Sequence, residues 1–444
     1  MFTLNEAVEE PMPPSPPGTD PHHGPAAPSR SVAPFMTLWT GQALSLFGSQ
    51  AVQFAMIWWL TVETGSATVL ATAAFVGLVP QVLLGPFIGT LVDRWSRRAI
   101  MFASDSVVAL ASLILAAMFH SGRGGIAAVF VVLFVRALGS AFHGPAMLAS
   151  TTLMVPERHF TRIQGMNQAL QGGLAIIGAP AGALLYGALP MAGVMLVDVV
   201  TALFALGPLM FIHVPGSGAP ADGRPGILGQ TMEGFRFLKS RRGHLVLVLM
   251  AAAINLCLVP AFALLPLLVQ DALGGDALTL GWMTSLFGAG MLAGGVVLGA
   301  WGGFRRRITT SLTGIAGLGL AVLALGASPQ EPRAFAPAAL LVVGLMVPIC
   351  NGPIHAIFQA TVPPHYQGRV FTLLGTLSAS MAPLGLTLAA PVAGLAGVRG
   401  WFILGGIVTF GMGILGFFLA DLTGIEETRS DEISGPLAQD ADIM

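Results

Sequence analysis

The chain has 444 residues, 54% hydrophobic and only 9% charged, with a mean hydropathy of +0.79 and a net charge of −1. A soluble domain carries about 25% charged residues, so the composition argues against a soluble protein, and the near-neutral charge gives no electrostatic footprint for nucleic acid. The two cysteines, Cys257 and Cys350, fall in separate apolar stretches; they read as buried core thiols and supply neither a disulfide framework nor a metal set.

Residues 1–33 are Pro-rich, from Pro11 to Pro28, and lack an apolar core. They read as a disordered cytoplasmic tail with no cleavable signal peptide. Twelve apolar stretches then follow, each with about the 20 residues that span ~30 Å of hydrocarbon. Only a helix satisfies its own backbone there, so the expected fold is an all-α membrane protein. The first stretch, 35–61, carries Gln50, Gln53, Trp58 and Trp59. The glutamines are candidates for a cavity, and the tryptophans fit either an interfacial belt at the outer end or substrate stacking. The second, 67–92, runs into a basic loop. The third, 98–120, contains Asp105 and the fourth, 125–154, contains Arg136.

At ~1.5 Å rise per residue, Asp105 sits roughly 10 Å from the inner side and Arg136 roughly 18 Å from the outer side. Charges inside a bilayer are costly and mark functional hypotheses. These two are expected at similar height on adjacent helices, where an Asp105–Arg136 pair would keep either charge from being buried alone. Such a pair is either a fixed structural bridge or part of proton coupling.

The fifth stretch, 162–188, places Gln164, Asn167, Gln168 and Gln171 three to four residues apart, several of them on one face. Gly178, Pro180 and Gly182 mark a kink farther along it. The sixth, 191–213, contains Asp198, roughly 10 Å from the outer side. That carboxylate either exchanges protons or is hydrogen-bonded within its bundle. A Gly/Pro-containing and then basic connection, 214–243, divides the chain six and six. The remaining stretches are 244–270, 279–302, 308–327, 334–361, 367–395 and 398–422. The tenth carries Asn351, His355 and Gln359 at i, i+4 and i+8, a stripe that lines either a cavity or a helix contact. From 423 the chain is acidic, with Glu426, Glu427, Asp431 and Glu432, and reads as a solvated end. The expected units are therefore a tail (1–33), a six-helix bundle (34–213), a cytoplasmic linker (214–243), a second bundle (244–422) and an acidic tail (423–444).

With the N-terminus inside, fourteen Lys and Arg residues, from Arg94 to Arg369, fall in inner loops, and only Arg123, Arg333 and Arg399 in outer ones. The positive-inside rule then places both termini in the cytoplasm of a cell bounded by this membrane. The halves also repeat. Gly144-Pro145, Val155-Pro156 and Arg162 match Gly352-Pro353, Val362-Pro363 and Arg369, and Ala179-Pro180 matches Ala382-Pro383. Parallel duplication about an axis along the membrane normal is one known plan for moving a solute across a bilayer.

The loop after the second helix reads Gly89-Thr90-Leu91-Val92-Asp93-Arg94-Trp95-Ser96-Arg97-Arg98. It resembles the G-x-L-x-D-R-x-G-R-K signature of the major facilitator superfamily, with Ser96 where that motif has glycine. Arg136-Ala137-Leu138-Gly139 resembles the family's helix-four motif with shortened spacing. Gly178-Ala179-Pro180-Ala181-Gly182 resembles a degenerate form of the Gly-Pro motif of its antiporting exporters. Further segments, among them Leu78-Val79-Pro80-Gln81, Arg136 through Pro145, Val155-Pro156-Glu157, Ser285 through Gly290 and Gly368-Arg369-Val370-Phe371, resemble its macrolide-efflux branch.

The resemblance implies two pseudo-symmetric six-helix bundles around a central cavity and proton-coupled export of small amphipathic compounds. It implies a conformational latch formed by Gly89, Asp93, Arg94, Arg97 and Arg98. The second-half counterpart, Gly299 to Arg307, lacks the aspartate. The expected substrate cavity holds Gln50, Gln53, Asn167, Gln168, Gln171, Asn351, His355 and Gln359. Asp105, Arg136 and Asp198 are candidates for proton coupling or a buried ion pair, with Glu63 and His355 next in line for the proton. The expected partners are a small molecule, protons and lipid, with the protein acting as a monomer. No phosphate loop and no His/Cys metal spacing is present, so neither cofactor nor metal is expected. Two other readings stay open: export of a siderophore or lipid-like metabolite in the same fold, or a non-transporting membrane sensor.

Overall fold

The structure is a computed structural model that describes residues 32–156, 159–212, 235–236, 238–239, 241–331, 334–362 and 364–426. Among the described residues there is no strand. The first half contains α1 (Val32–Thr64), α2 (Ala67–Arg94), α3 (Arg97–His120), α4 (Ile126–Met154), α5 (Phe160–Ala188) and α6 (Met191–Phe211). The second begins with α7 (Arg242–Leu267), which continues through a π turn (Leu268–Ala272). Then come α8 (Ala277–Trp301), α9 (Arg307–Gly326) and α10 (Phe335–Thr361). The run Pro364–Gly416 is two helices, α11 (364–396) and α12 (398–416), divided at Gly397. Its φ of 72° is one that glycine adopts without a Cβ clash.

The ends of these helices follow local chemistry. Ser66 caps α2 by accepting from the Val69 amide, Ser96 caps α3 from Ala99, and Asp276 caps α8 from Thr279 at 2.8 Å. At the far end of the π turn, Arg399 donates to the Ala272 carbonyl at 2.9 Å, satisfying a terminal carbonyl that the helix cannot.

Several boundaries differ from expectation. Val32 and Ala33, assigned to the tail, already belong to α1, because Phe35 and Leu38 just beyond them are fully buried and need the helix to enter the core. Arg242 and Gly243, assigned to the linker, open α7, and the bare Gly243 packs on the Asp421 carbonyl. The last span stops at Gly416, and a separate short helix, Ala420–Thr423, follows. The acidic end is not wholly solvated: Ile425 is buried, and Glu426 accepts from the Ile308 amide in the first turn of α9 at 2.8 Å. There it meets the positive end of that helix. The remainder of both tails and most of the linker lie outside the described residues.

The two halves use the same packing scheme. In the first, α1 packs on α5 and α6, α3 on α4 and α6, and α2 on α4. In the second, α7 packs on α11 and α12, α9 on α10 and α12, and α8 on α10. Without a hydrophobic force between helices in lipid, close approach through small residues does the work. A Cβ on Gly41 of α1 would lie 2.3 Å from the Phe204 oxygen of α6, and one on Gly319 of α9 would lie 2.1 Å from the Phe410 nitrogen of α12. The repeat reaches single atoms: Gly182 of α5 would place a Cβ 2.4 Å from the Ala51 oxygen of α1. Gly385 of α11, in the matching position, would place one 2.1 Å from the Leu256 oxygen of α7. The halves meet where α5 packs on α8 and where α2 packs on the helical pair Pro364–Gly416.

Candidate functional site

Two polar layers cross the first half. The upper one is built on Asp198 of α6, which is only 1% exposed. Arg136 of α4 donates to its Oδ2, Ser112 of α3 donates to the same oxygen at 2.6 Å, and Ser49 of α1 donates to Oδ1 at 2.9 Å. A second guanidinium nitrogen of Arg136 donates to the Ser49 carbonyl at 2.8 Å. Four helices are therefore tied at one carboxylate. The contact depends on Gly48, where a Cβ would lie 2.1 Å from the Thr201 hydroxyl of α6. A carboxylate and a guanidinium in the membrane need this degree of mutual satisfaction.

The expected Asp105–Arg136 pair is not formed: Arg136 turns to Asp198 instead. The height estimate fixed depth but not rotation, and the face of α4 that carries Arg136 also looks across to α1 and α6.

Asp105 forms the lower layer. Gln42 of α1 donates to its Oδ2 at 2.9 Å, and His143 of α4 places Nε2 3.6 Å from Oδ1. That separation is an ion-pair distance, too long for a hydrogen bond. The imidazole nitrogen is buried and has no hydrogen-bond partner among the described residues. The two layers share one geometry. Gln42 and Ser49 on α1, Asp105 and Ser112 on α3, and Arg136 and His143 on α4 are each seven residues apart. Seven residues are two turns, so each pair lies on one face about 10 Å apart. Gly139, between Arg136 and His143, lets α3 approach: a Cβ there would lie 2.8 Å from Val108.

Both layers border a cavity of about 1000 Å³, and among the described residues its lining belongs to the first half. The lining runs from Gln53, Gly77 and Leu174 at mid-height to Trp39, Ile88 and Thr151 near the face that carries the start of α1. Of the candidate residues, Gln50, Gln53, Asn167 and Gln171 line it, together with Asp105, Arg136 and Asp198. Asn167 accepts from the Trp39 indole at 2.7 Å. Gln168 is exposed and is not part of the lining, because it falls on another face of α5. Asn351, His355 and Gln359 form an exposed stripe on α10, also outside this lining. Gln42 and His143 were not among the sequence candidates; their seven-residue spacing from Ser49 and Arg136 is the signal that would have found them.

Other candidates are placed as follows. Trp58 is 4% exposed and belongs to the core, so it is no interfacial belt residue, and Trp59 packs edge-on against Phe119 at 5.1 Å. Glu63 is exposed near the end of α1, away from the cavity. Gly89, Asp93 and Arg94 lie in the last turns of α2, but their side chains fall outside the described residues. Arg98 donates to the Leu209 and Met210 carbonyls at 2.6 and 2.7 Å, closing the end of α6, and Arg97 donates to Ala149 at 3.4 Å. These bonds stay within the first half. Gly178 and Gly182 let α5 lie on α1, with a Cβ at Gly178 3.2 Å from the Gln50 Cβ. Cys257 and Cys350 are buried and unpaired.

Among the described residues, twelve long apolar helices in two like halves, with a cavity bordered by buried charges, define a polytopic membrane transport protein. The chain belongs to the Major Facilitator Superfamily, whose profile matches residues 38–386. Macrolide efflux protein A of Streptococcus pyogenes is 35% identical over 373 residues, covering 84% of this chain and 92% of that protein. The multidrug efflux pump Tap of Mycolicibacterium fortuitum is 27% identical over 402 residues, covering 86% and 95%. Among solved structures, a bacterial homologue of the iron transporter ferroportin in an inward-facing state superposes with a TM-score of 0.65 at 15% identity, covering 86% of this chain and 99% of that one. A bacterial homologue of the lysosomal transporter Spinster, inward-facing and unoccupied, gives 0.64 at 14% identity, covering 91% and 98%. At such identities the structural likeness speaks to fold alone.

Proposed function

We propose that the chain is a secondary active transporter that exports small amphipathic compounds, macrolide-like drugs or metabolites, in exchange for protons by alternating access. The observation that carries this reading is the unequal treatment of the two intramembrane carboxylates. Asp198 is fully engaged by Arg136, Ser49 and Ser112. Asp105 borders the same cavity with one amide donor and a facing imidazole. A group that carries a proton must be ionised in one state and neutral in the other. Asp105, which faces His143 at the cavity wall, can take up and release a proton without breaking a four-helix junction. The apolar majority of the lining suits an amphipathic solute, and Gln50, Gln53 and Gln171 supply points of polar contact.

The efflux relatives support the direction of transport. Expression in a susceptible host should lower accumulation of a macrolide and raise tolerance to it, and a protonophore should reverse both. Unchanged accumulation across a panel of amphipathic compounds would sink the export reading.

We infer further that the basic loops face the cytoplasm of a cell whose plasma membrane holds the protein, so the cavity opens inward in this conformation. Single cysteines placed in the 214–243 connection should react with an impermeant maleimide only after the membrane is opened. Labelling of intact cells would reverse the orientation.

A further inference from the structure

Along α5 and α8 the halves touch from mid-height toward the face away from the N-terminus, opposite the cavity mouth. Pro180 has no amide proton, so the carbonyl four residues earlier, that of Ile176, loses its donor within α5. Ser285 of α8, in the other half, supplies one: its hydroxyl donates to the Ile176 oxygen at 2.5 Å and is itself only 7% exposed. The approach is set by glycines on either side. A Cβ on Gly281 would lie 3.1 Å from the Pro180 Cα, and one on Gly288 would lie 3.0 Å from the Ala175 carbonyl. The same hydroxyl also lies 3.1 Å from the Gly281 carbonyl of its own helix, the usual resting bond of a serine in a membrane helix.

We propose that Ser285 is a positioning residue for alternating access, a hydrogen-bond switch that closes the two halves on this face by occupying the carbonyl that Pro180 leaves free. When the halves part, the hydroxyl falls back on Gly281, and the Ile176 carbonyl turns to the water of the opening cleft. Neither conformation then strands a polar group in the membrane, which is what a reversible contact requires. The inference rests on the transport reading, but its test needs no substrate.

The full-length protein, with Cys257 and Cys350 replaced by alanine, would be spin-labelled at Leu189→Cys and Leu278→Cys. These positions are 39% and 40% exposed at the ends of α5 and α8. Distances would be measured by electron double resonance in nanodiscs. Ser285→Ala should enlarge the long-distance population roughly three- to tenfold, the worth of one hydrogen bond, and Ser285→Thr should restore it. Pro180→Ala returns the Ile176 carbonyl to the helix ladder, so adding Ser285→Ala to Pro180→Ala should change little more. An unshifted Ser285→Ala, or an equal shift with and without Pro180, would overturn the proposal. If Ser285→Ala does not assemble, Ser285→Thr against the equally sized Ser285→Val reads the same bond. In transport, Ser285→Ala should slow turnover while leaving substrate affinity in place; a wild type that exports nothing but shows these distance shifts would count against the transport reading alone.

Discussion

Arg136→Ala is expected to be the most damaging single change to the folded protein. It removes a guanidinium that is 7% exposed and leaves the Asp198 carboxylate, 1% exposed, with only the Ser49 and Ser112 hydroxyls as donors. Breaking one partner of a buried pair costs about 3–5 kcal/mol, because the other charge stays behind. Removing both partners is gentler. In the double variant Arg136→Ala/Asp198→Ala, the two serines can turn to the carbonyls one turn back on their own helices. Thermal melts of the detergent-solubilised protein should therefore rank wild type first, the double variant next and Arg136→Ala last. Arg136→Lys should fall between, because an ammonium cannot hold both Asp198 and the Ser49 carbonyl with the geometry of a planar fork. An Arg136→Ala protein that melts with the wild type would mean that the pair carries no net stability.

Asp105→Asn is expected to fold well and to lose coupling. The amide keeps an oxygen for Gln42 but cannot take up and release a proton. Substrate efflux driven by an imposed pH gradient should fall to the level seen with the gradient collapsed. Binding of the same substrate should persist and lose its pH dependence. His143→Gln should weaken coupling less, since the carboxylate remains. The layer above makes a useful control. Asp198→Asn disturbs a structural junction, so it should lower yield and melting temperature before it changes how transport depends on the gradient. Full gradient-driven efflux by Asp105→Asn would remove this carboxylate as the proton carrier.

The membrane spans were legible in the sequence because the bilayer leaves few choices. An apolar run of about 20 residues must be a helix, whatever it packs against. The duplication was legible for a related reason: matched small residues and prolines mark the places where helices press together. Pro180 and Pro383 share their offset with Gly182 and Gly385, which rest on the carbonyls of Ala51 and Leu256 in matching helices. The three intramembrane charges also stood out, since Asp105, Arg136 and Asp198 have no cheap place in lipid.

Which charge meets which was not legible. The rise of a helix gives height, but partner choice depends on rotation about each axis and on which helices are neighbours. That is why Arg136 reaches Asp198, 62 positions away, and not Asp105 on the preceding helix. For the same reason the polar stripe of α10 read like cavity lining although it lies outside the cavity described on the first half, while Gln42 and His143, unremarkable in sequence, complete its lower layer. The sequence by itself determined the class of the protein, where its spans lie and which of them carry charged residues. Only the tertiary structure decided their pairing, because a hydrogen bond is a matter of a few tenths of an ångström between side chains on different helices. The bare glycines at Gly48 and Gly139 let α1 approach α6 and α4 approach α3 closely enough for these bonds.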